Sequence, residues 1–238
     1  MCLLQIAATA DIHAPLYLDM FRDRLENLLK KKYSFSLFII AGDLIERGDL
    51  TQLDKINKII EKINVPIIAC FGNNEYEEQE EEIKKRCPLI RFLSDQVEVL
   101  RINEVKLGII GSRGCLDQPT FWQRKNIPGI MTIYRNRMKK LYDLAKRLQA
   151  DLKLLVIHYP PSYKVLEGEN PKYFSQMGSN KLEGLVSYFD LVITAHAHNG
   201  RKLVFLNGVP VYNVALPLNE DILVVKMEKR RKGLEAFF

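Results

Sequence analysis

Hydrophobic runs of strand length alternate with segments of helical periodicity through the first part of the chain. Strands are predicted at about 3–9, 37–41 and 65–71, with helices at about 16–32 and 51–63 between them. Alternation of this kind is typical of βαβ units that build a largely parallel sheet. The pattern therefore predicts an α/β fold.

From Val97 onwards the pattern includes antiparallel strands. Segments 96–100 and 106–111 predict a hairpin, and a polar, aromatic-rich loop follows at 112–134. A helix is then expected to about Ala150, before a buried strand at 152–157.

The last part of the chain continues with a Pro/Gly-rich loop at 159–178, a short helix and a strand at 191–194. Further strands are predicted at 202–206, 209–214 and 222–227, with Asn207-Gly208 as a hairpin turn. We therefore expect residues 1–238 to form one domain with a mixed sheet or two packed sheets.

The composition is that of a soluble globular protein, with 47% hydrophobic and 27% charged residues among 238, which excludes a disordered chain. A net charge of +6 suits an anionic partner or substrate. The basic clusters at 30–32 and 229–232 and the acidic run at 77–82 are more typical of solvated faces than of binding patches.

The cysteines and the hydrophobic runs bear on location. The chain has four cysteines without C-x-x-C spacing, so we expect them to be reduced and the protein to be cytoplasmic. No run reaches the length of a membrane span, and the N-terminus lacks a basic signal region, so no membrane partner is expected.

Polar residues with metal-binding chemistry follow the predicted strands. All four histidines of the chain lie just past a strand end, and Asp11, Asp43 and Asn73 occupy the same kind of position. Ligands of open α/β sheets bind beyond the carboxyl ends of the strands. The resulting candidate ligands are Asp11, His13, Asp43, Asn73, His158, His196 and His198.

Each of these residues alone has an ordinary explanation, because a lone aspartate there is often a cap and a lone histidine is often satisfied locally. The concurrence of all four histidines instead favours a shared site. Seven oxygen and nitrogen ligands exceed what one ion needs, and they suit two transition-metal ions such as Mn, Fe, Co, Ni or Zn. Two such ions can activate a bridging water and hold a phosphoryl group, which predicts hydrolysis of a phosphate ester.

An ordered set of five sequence blocks resembles the calcineurin-like metallophosphoesterases. The blocks are Asp11-Ile12-His13, Gly42-Asp43 to Gly48, Gly72-Asn73-Asn74-Glu75, His158 and Ala195-His196-Ala197-His198. The resemblance implies an α/β fold of two packed mixed β-sheets flanked by helices, a four-layer αββα sandwich. It also implies one metal on Asp11, His13, Asp43 and His198, and another on Asp43, Asn73, His158 and His196. The expected catalytic residues are Asp43, Asn73, Asn74 and Arg47.

Asn74 departs from the family pattern, which often has a histidine there that protonates the leaving oxygen. A neutral amide cannot act as a general acid. The substrate then has a good leaving group or is a cyclic diester, or another group supplies the proton, or hydrolysis is weak and the domain chiefly binds. The nearby candidates for such a group are Glu75, Tyr76, Tyr159 and Tyr163. Ala195 is a second, smaller departure, from glycine.

The substrate signals are weaker. Arg47 could contact phosphate or form a structural ion pair, and Arg113 and Asn74 are candidate substrate contacts. The segment 121–126 mixes aromatic and basic residues, which fits base stacking beside phosphate contacts or, alternatively, packing of Phe121 and Trp122 onto the core.

We expect a dinuclear phosphoesterase, with manganese among its candidate metals and phosphodiesters favoured as substrates. A phosphomonoesterase and a DNA nuclease are the enzymatic alternatives, and a non-catalytic scaffold of the same fold is the alternative from another class. The expected partner is a phosphate ester, with a nucleotide or nucleic acid left open. The oligomeric state is not indicated.

Overall fold

The structure is a computed structural model that describes residues 3–31 and 34–228. The predicted end of the first helix at Lys32, the basic cluster at 229–232 and Cys2 lie outside the described residues.

The first sheet has five strands, and four of them are parallel. Its order is β11-β1-β2-β3-β4, with β11 antiparallel to β1. The strands are β1 (Leu3–Thr9), β2 (Leu37–Ala41), β3 (Ile67–Cys70), β4 (Ile90–Leu93) and β11 (Leu223–Glu228).

The second sheet has six strands in the order β5-β6-β7-β8-β10-β9. Strands β6, β7, β8 and β10 run parallel, whereas β5 and β9 pair antiparallel at the two edges. The strands are β5 (Gln96–Ile102), β6 (Val105–Ser112), β7 (Leu152–Ile157), β8 (Leu191–Thr194), β9 (Leu203–Leu206) and β10 (Val209–Asn213).

Seven α-helices are present in the described part of the chain. They are α1 (Leu18–Lys30), α2 (Leu53–Ile60), α3 (Glu80–Arg86), α4 (Phe121–Asn126), α5 (Ile130–Arg147), α6 (Glu183–Val186) and α7 (Leu216–Asn219). None of these helices combines the length and the apolar character needed to cross a membrane.

The two sheets pack face to face through a shared hydrophobic core. Ile6 and Ile39 of the first sheet lie in one cluster with Leu154 and Ile193 of the second. The opposite face of the first sheet packs on α1, α2 and α3, and that of the second packs on α5 and α6. The alternation of side chains along each strand explains how one strand contributes to two cores. The predicted four-layer αββα sandwich is confirmed.

The predicted loop at 112–134 is wrong in part, because it contains α4 and the first turn of α5. Thr120 and Gln123 form a reciprocal capping box that starts α4, and Gly129 in a left-handed conformation precedes α5. The Thr-x-x-Gln spacing was a readable signal for such a start. The sequence interpretation also missed α3 and the four-residue strand β4.

Candidate metal centre

The loops after β1, β2, β3, β7 and β8 carry the seven candidate ligands. Four of these residues have positive φ, namely Asp11 at 55°, His13 at 43°, Asp43 at 53° and His196 at 72°. Non-glycine residues rarely adopt this conformation, which costs on the order of 1–3 kcal/mol each and is typical of functional sites. The backbone therefore turns sharply at several strand ends to direct these side chains.

A first cluster consists of Asp11, His13 and His198, whose ligand atoms lie within 4.8 Å of one another. Asp11 is fully buried; its Oδ1 lies 3.8 Å from His13 Nε2 and its Oδ2 lies 3.7 Å from His198 Nε2. The backbone N–H of His196 donates to Asp11 Oδ2 at 2.9 Å, which fixes the carboxylate.

A second cluster consists of Asp43, His158 and His196, again within 4.8 Å. Asn73 joins it, because its Oδ1 lies 3.0 Å from His158 Nε2. With Asn73 included, the two clusters together contain the seven residues for which the family resemblance implies two ions.

Asp43, a member of the second cluster, also lies close to the first cluster. Its Oδ2 atom is 3.7 Å from His13 Nε2 in the first cluster and 3.6 Å from His158 Nε2 in the second. A carboxylate in this position can contribute to both candidate metal sites.

Several buried polar atoms of the site have no hydrogen-bond partner in the described part of the chain and could bind a cation. Asp11 Oδ1 and His13 Nε2 are buried and have no hydrogen-bond partner among the described residues. His158 Nδ1 lies 2.9 Å from the carbonyl oxygen of Ala41, and its Nε2 lies 3.0 Å from Asn73 Oδ1. The two unpartnered buried atoms, together with the His158 and Asn73 side chains, are metal-ligand groups and fit a divalent cation.

The imidazole rings are oriented from behind. His13 Nδ1 lies at an ion-pair distance of 2.8 Å from Glu46 Oε2, and His158 Nδ1 forms a hydrogen bond of 2.9 Å with the carbonyl oxygen of Ala41. Partners of this kind fix the tautomer and aim Nε2 at a metal. Burial lowers the pKa of His196 to about 3, so its ring stays neutral. Glu46 was not singled out from the sequence, although its position three residues after Asp43 was a possible signal.

The turn that carries Asn73 packs tightly against the loop of Asp43. The buried carboxylate of Glu75 accepts from the backbone N–H of Asp43 at 3.0 Å, Leu44 at 2.5 Å and Gly72 at 2.7 Å. Burial, followed by the charge of Asp43, raises the pKa of Glu75 to about 7. A Cβ on Gly72 would lie 2.1 Å from Asp43 Oδ1, so only glycine fits there.

Arg113 holds the same turn at both ends. Its Nε donates to the Gly72 carbonyl at 2.7 Å and its Nη2 to the Glu75 carbonyl at 2.6 Å. Ion pairs of 3.1 Å to Glu77 and Glu80 complete its contacts. The guanidinium is therefore engaged by two backbone carbonyls and two carboxylates, and its expected contact with substrate stays a prediction.

Arg47 lies outside the two clusters. Its side chain is 82% exposed and its Nε is 3.2 Å from Glu46 Oε1, as in the ion-pair alternative. Asn74 faces the centre, where its Nδ2 donates to Asp43 Oδ2 at 2.7 Å and its Oδ1 accepts from the Arg47 backbone N–H at 3.0 Å.

The four candidate proton donors have different surroundings. Glu75 accepts backbone hydrogen bonds, Tyr163 donates to Asp117 at 2.7 Å, and Tyr76 stacks on Trp122. Tyr159 is buried and contacts ligands, with its ring 5.3 Å from that of His158 and 5.0 Å from that of His196. Burial raises the pKa of Tyr159 to about 12.

Comparison with known proteins identifies the family. Residues 4–200 match the family described as calcineurin-like phosphoesterase, so the chain belongs to the calcineurin-like phosphoesterases, which are metal-dependent phosphoric ester hydrolases. A probable cyclic nucleotide phosphodiesterase of Synechococcus sp. is 29% identical over 190 residues. That alignment covers 76% of this chain and 66% of the relative.

Two solved structures show the same fold. The phosphopantetheinyl hydrolase of Mycobacterium tuberculosis superposes with a TM-score of 0.65 at 15% identity, covering 91% of this chain and 90% of the other. GAP50 of Plasmodium, described as the anchor in the inner membrane complex, gives 0.61 at 13% identity, with coverages of 91% and 73%. These similarities bear on the fold alone.

Proposed function

We propose that the chain hydrolyses phosphate esters, with phosphodiesters favoured, using two divalent transition-metal ions that share Asp43. One ion would be held by Asp11, His13, Asp43 and His198. The other would be held by Asp43, Asn73, His158 and His196.

The position of Asp43 Oδ2 carries this proposal. It lies 3.7 Å from His13 Nε2 and 3.6 Å from His158 Nε2, one nitrogen in each cluster. A single-ion site would have no use for a carboxylate placed between two groups of ligands. Manganese, iron, cobalt, nickel and zinc all suit the nitrogen and oxygen ligands.

When bound, two such ions supply a nucleophile from water at neutral pH and neutralise charge on the phosphoryl oxygens. The residues of the chain contribute position and charge. Asn74 holds the Asp43 carboxylate through Nδ2, and Glu46 holds the His13 ring through Nδ1. Loss of either contact would let a ligand rotate away from the centre.

The preference for diesters follows from Asn74. An amide cannot donate a proton to the leaving oxygen as a general acid does. Substrates whose leaving group departs readily without protonation are therefore favoured. The Synechococcus relative bears the name of a cyclic nucleotide phosphodiesterase, which supports the same preference. A phosphomonoesterase is the second candidate, because the proposed metal centre alone does not distinguish the two ester classes.

The ester preference is tested with two chromogenic substrates. We expect the protein with Mn, Ni, Co or Zn to hydrolyse bis(p-nitrophenyl) phosphate with a higher kcat/KM than p-nitrophenyl phosphate, and Asp43→Ala to abolish turnover of both. A higher kcat/KM for the monoester would reverse the preference. Absence of metal-dependent turnover of either would favour the scaffold alternative.

We also propose that the reaction takes place in the cytoplasm. The support is that Cys70, Cys87 and Cys115 are free and buried in the described part of the chain. Fractionation of the source cells with detection of the protein tests this location.

A further inference from the structure

We infer that Trp122 and Tyr76 form the binding surface for the aromatic base of a nucleotide ester whose phosphate lies at the metal centre. The inference rests on the proposed function and adds the substrate class. Trp122 and Tyr76, together with the neighbouring Phe121, form a surface that we term the aromatic rim.

The aromatic rim is exposed although its backbone is fixed. Phe121 is 74% and Trp122 is 56% exposed, which overturns the alternative that they pack on the core. The Thr120 hydroxyl accepts from the Gln123 backbone N–H at 3.2 Å, and the Gln123 side chain accepts from the Thr120 N–H at 3.0 Å. The capping box holds α4 in place while two large aromatic side chains face solvent.

Two independent contacts tie α4 to the metal centre. The rings of Tyr76 and Trp122 are stacked, with centroids 6.3 Å apart and planes at 18°, and Tyr76 follows Asn74 by two residues. Gln123 Nε2 donates to the Tyr159 hydroxyl at 3.3 Å. The ring of Tyr159 in turn packs against His158 and His196. The rim therefore borders the proposed centre.

The charges on α4 match a phosphorylated ligand. Arg124 and Lys125 occupy its last turn and are exposed. A ligand that fits this arrangement has a flat π-system for the aromatic rim and negative charge for the cations and the metals. A nucleotide has both, and stacking of a base on an aromatic side chain typically contributes a factor of about 10 to 100 in affinity.

The stacked pair of the rim offers one exposed face, on Trp122, because the other face of that ring lies against Tyr76. One base per site suits a mononucleotide or cyclic nucleotide. A single-stranded nucleic acid would use several such rings along a basic groove.

Trp122 is the only tryptophan of the chain, so its fluorescence reports the rim directly. The test uses the manganese-loaded protein with AMP and with ribose 5-phosphate, two ligands that differ only by the base. Stopped-flow fluorescence before turnover should show quenching by AMP and none by ribose 5-phosphate. AMP should bind about tenfold or more tightly, and equal affinities without quenching would overturn the inference.

Variants then separate the rim from the centre. By calorimetry, Trp122→Ala should weaken AMP about tenfold or more and leave ribose 5-phosphate unchanged, while Trp122→Phe should retain most of the AMP affinity. Phe205→Ala is the matched control, because Phe205 is 64% exposed on β9, a strand without proposed ligands. An equal loss for both ligands would overturn the inference.

The failure of the inference is distinguishable from that of the proposed function. Whether turnover of bis(p-nitrophenyl) phosphate depends on metal and on Asp43 reports the centre, whichever surface its aromatic rings contact. Metal-dependent turnover without a preference for a base would contradict the binding role of the aromatic rim and would still support the proposed phosphoesterase activity. An adenine oligonucleotide should bind more tightly than AMP only by a statistical factor equal to its number of bases. A larger gain in affinity would contradict the single-base surface.

Discussion

The side-chain amide of Asn74 donates a hydrogen bond to Asp43 Oδ2 at 2.7 Å. The same oxygen lies within 3.7 Å of ring nitrogens from both histidine clusters. Asn74 therefore contacts the carboxylate that we propose to be shared by two ions. Where the family often has a proton donor, this chain has a residue that would orient a ligand of the proposed centre.

The identity of residue 74 should determine how strongly the rate depends on the leaving group. In the wild type, kcat/KM should fall steeply as the leaving-group pKa rises across a series of aryl methyl phosphodiesters. Asn74→His should flatten this dependence and raise turnover of the poorest leaving groups by about tenfold or more, because an imidazole can protonate the leaving oxygen. An unchanged slope in Asn74→His would show that a different group already supplies the proton.

Arg113 should be needed for metal binding although it contacts no proposed ligand side chain. Arg113→Lys should weaken metal binding and lower the free energy of unfolding by about 1.5–3 kcal/mol, because one ammonium cannot serve the carbonyls of Gly72 and Glu75 together. Metal affinity by calorimetry and urea unfolding measure the two effects.

The matched control for Arg113 is Arg91→Lys, because Arg91 is 59% exposed and pairs only with Glu98 in the described part of the chain. It should leave metal affinity and unfolding unchanged. Metal affinity of wild-type strength in Arg113→Lys would assign Arg113 no role in placing Asn73.

Gly72→Ala should disrupt the centre. The added Cβ would lie 2.1 Å from Asp43 Oδ1, so the shared carboxylate must move. A displacement of about 1 Å at a catalytic group can cost on the order of a hundredfold in rate. We expect a loss of at least this size in kcat for bis(p-nitrophenyl) phosphate. Gly184→Ala, where the nearest atom is Tyr142 Oη at 3.0 Å, should retain activity, and retention in both variants would contradict the tight packing.

The buried thiol of Cys115 should make stability fall at alkaline pH. Burial raises its pKa from 9.0 to about 12, so the folded state binds a proton that the unfolded state releases. Its contribution is complete below pH 9 and is lost as the pH rises towards 12, with a slope of about 1.4 kcal/mol per pH unit. Urea unfolding between pH 8 and 11 should therefore show a shallower decline in Cys115→Ala, and identical slopes would refute the shift.

The clustering of the candidate ligands was predictable because their signal is chemical and repeats at five strand ends. The positions of Asp11, His13 and His198 could be inferred from strand ends and a spacing of two. The positioning residues could not, because Arg113 and Glu46 act through distant backbone carbonyls or a neighbouring ring, and such contacts leave no mark in sequence spacing. The extent of the domain over residues 1–238 stays a prediction.

Two short elements, helix α4 and strand β4, could not be predicted from the hydrophobic pattern of the sequence. The short helix α4 has no hydrophobic periodicity, because its aromatic side chains face solvent, so its segment was interpreted as a loop. Strand β4 has the exposed Arg91 between Ile90 and Phe92, so it lacks the uninterrupted hydrophobic run of the equally short β8, which was predicted. Elements of this length form in response to tertiary contacts and caps, so local pattern predicts them poorly.

The most direct measurement of the central claim is a titration of the metal-free protein with Mn²⁺ while turnover of bis(p-nitrophenyl) phosphate is followed. The proposed shared carboxylate predicts that activity rises to a plateau at two equivalents per chain. It also predicts that Asp43→Ala shows no activity at any ratio. A plateau at one equivalent, or turnover that does not depend on added metal, would contradict the account.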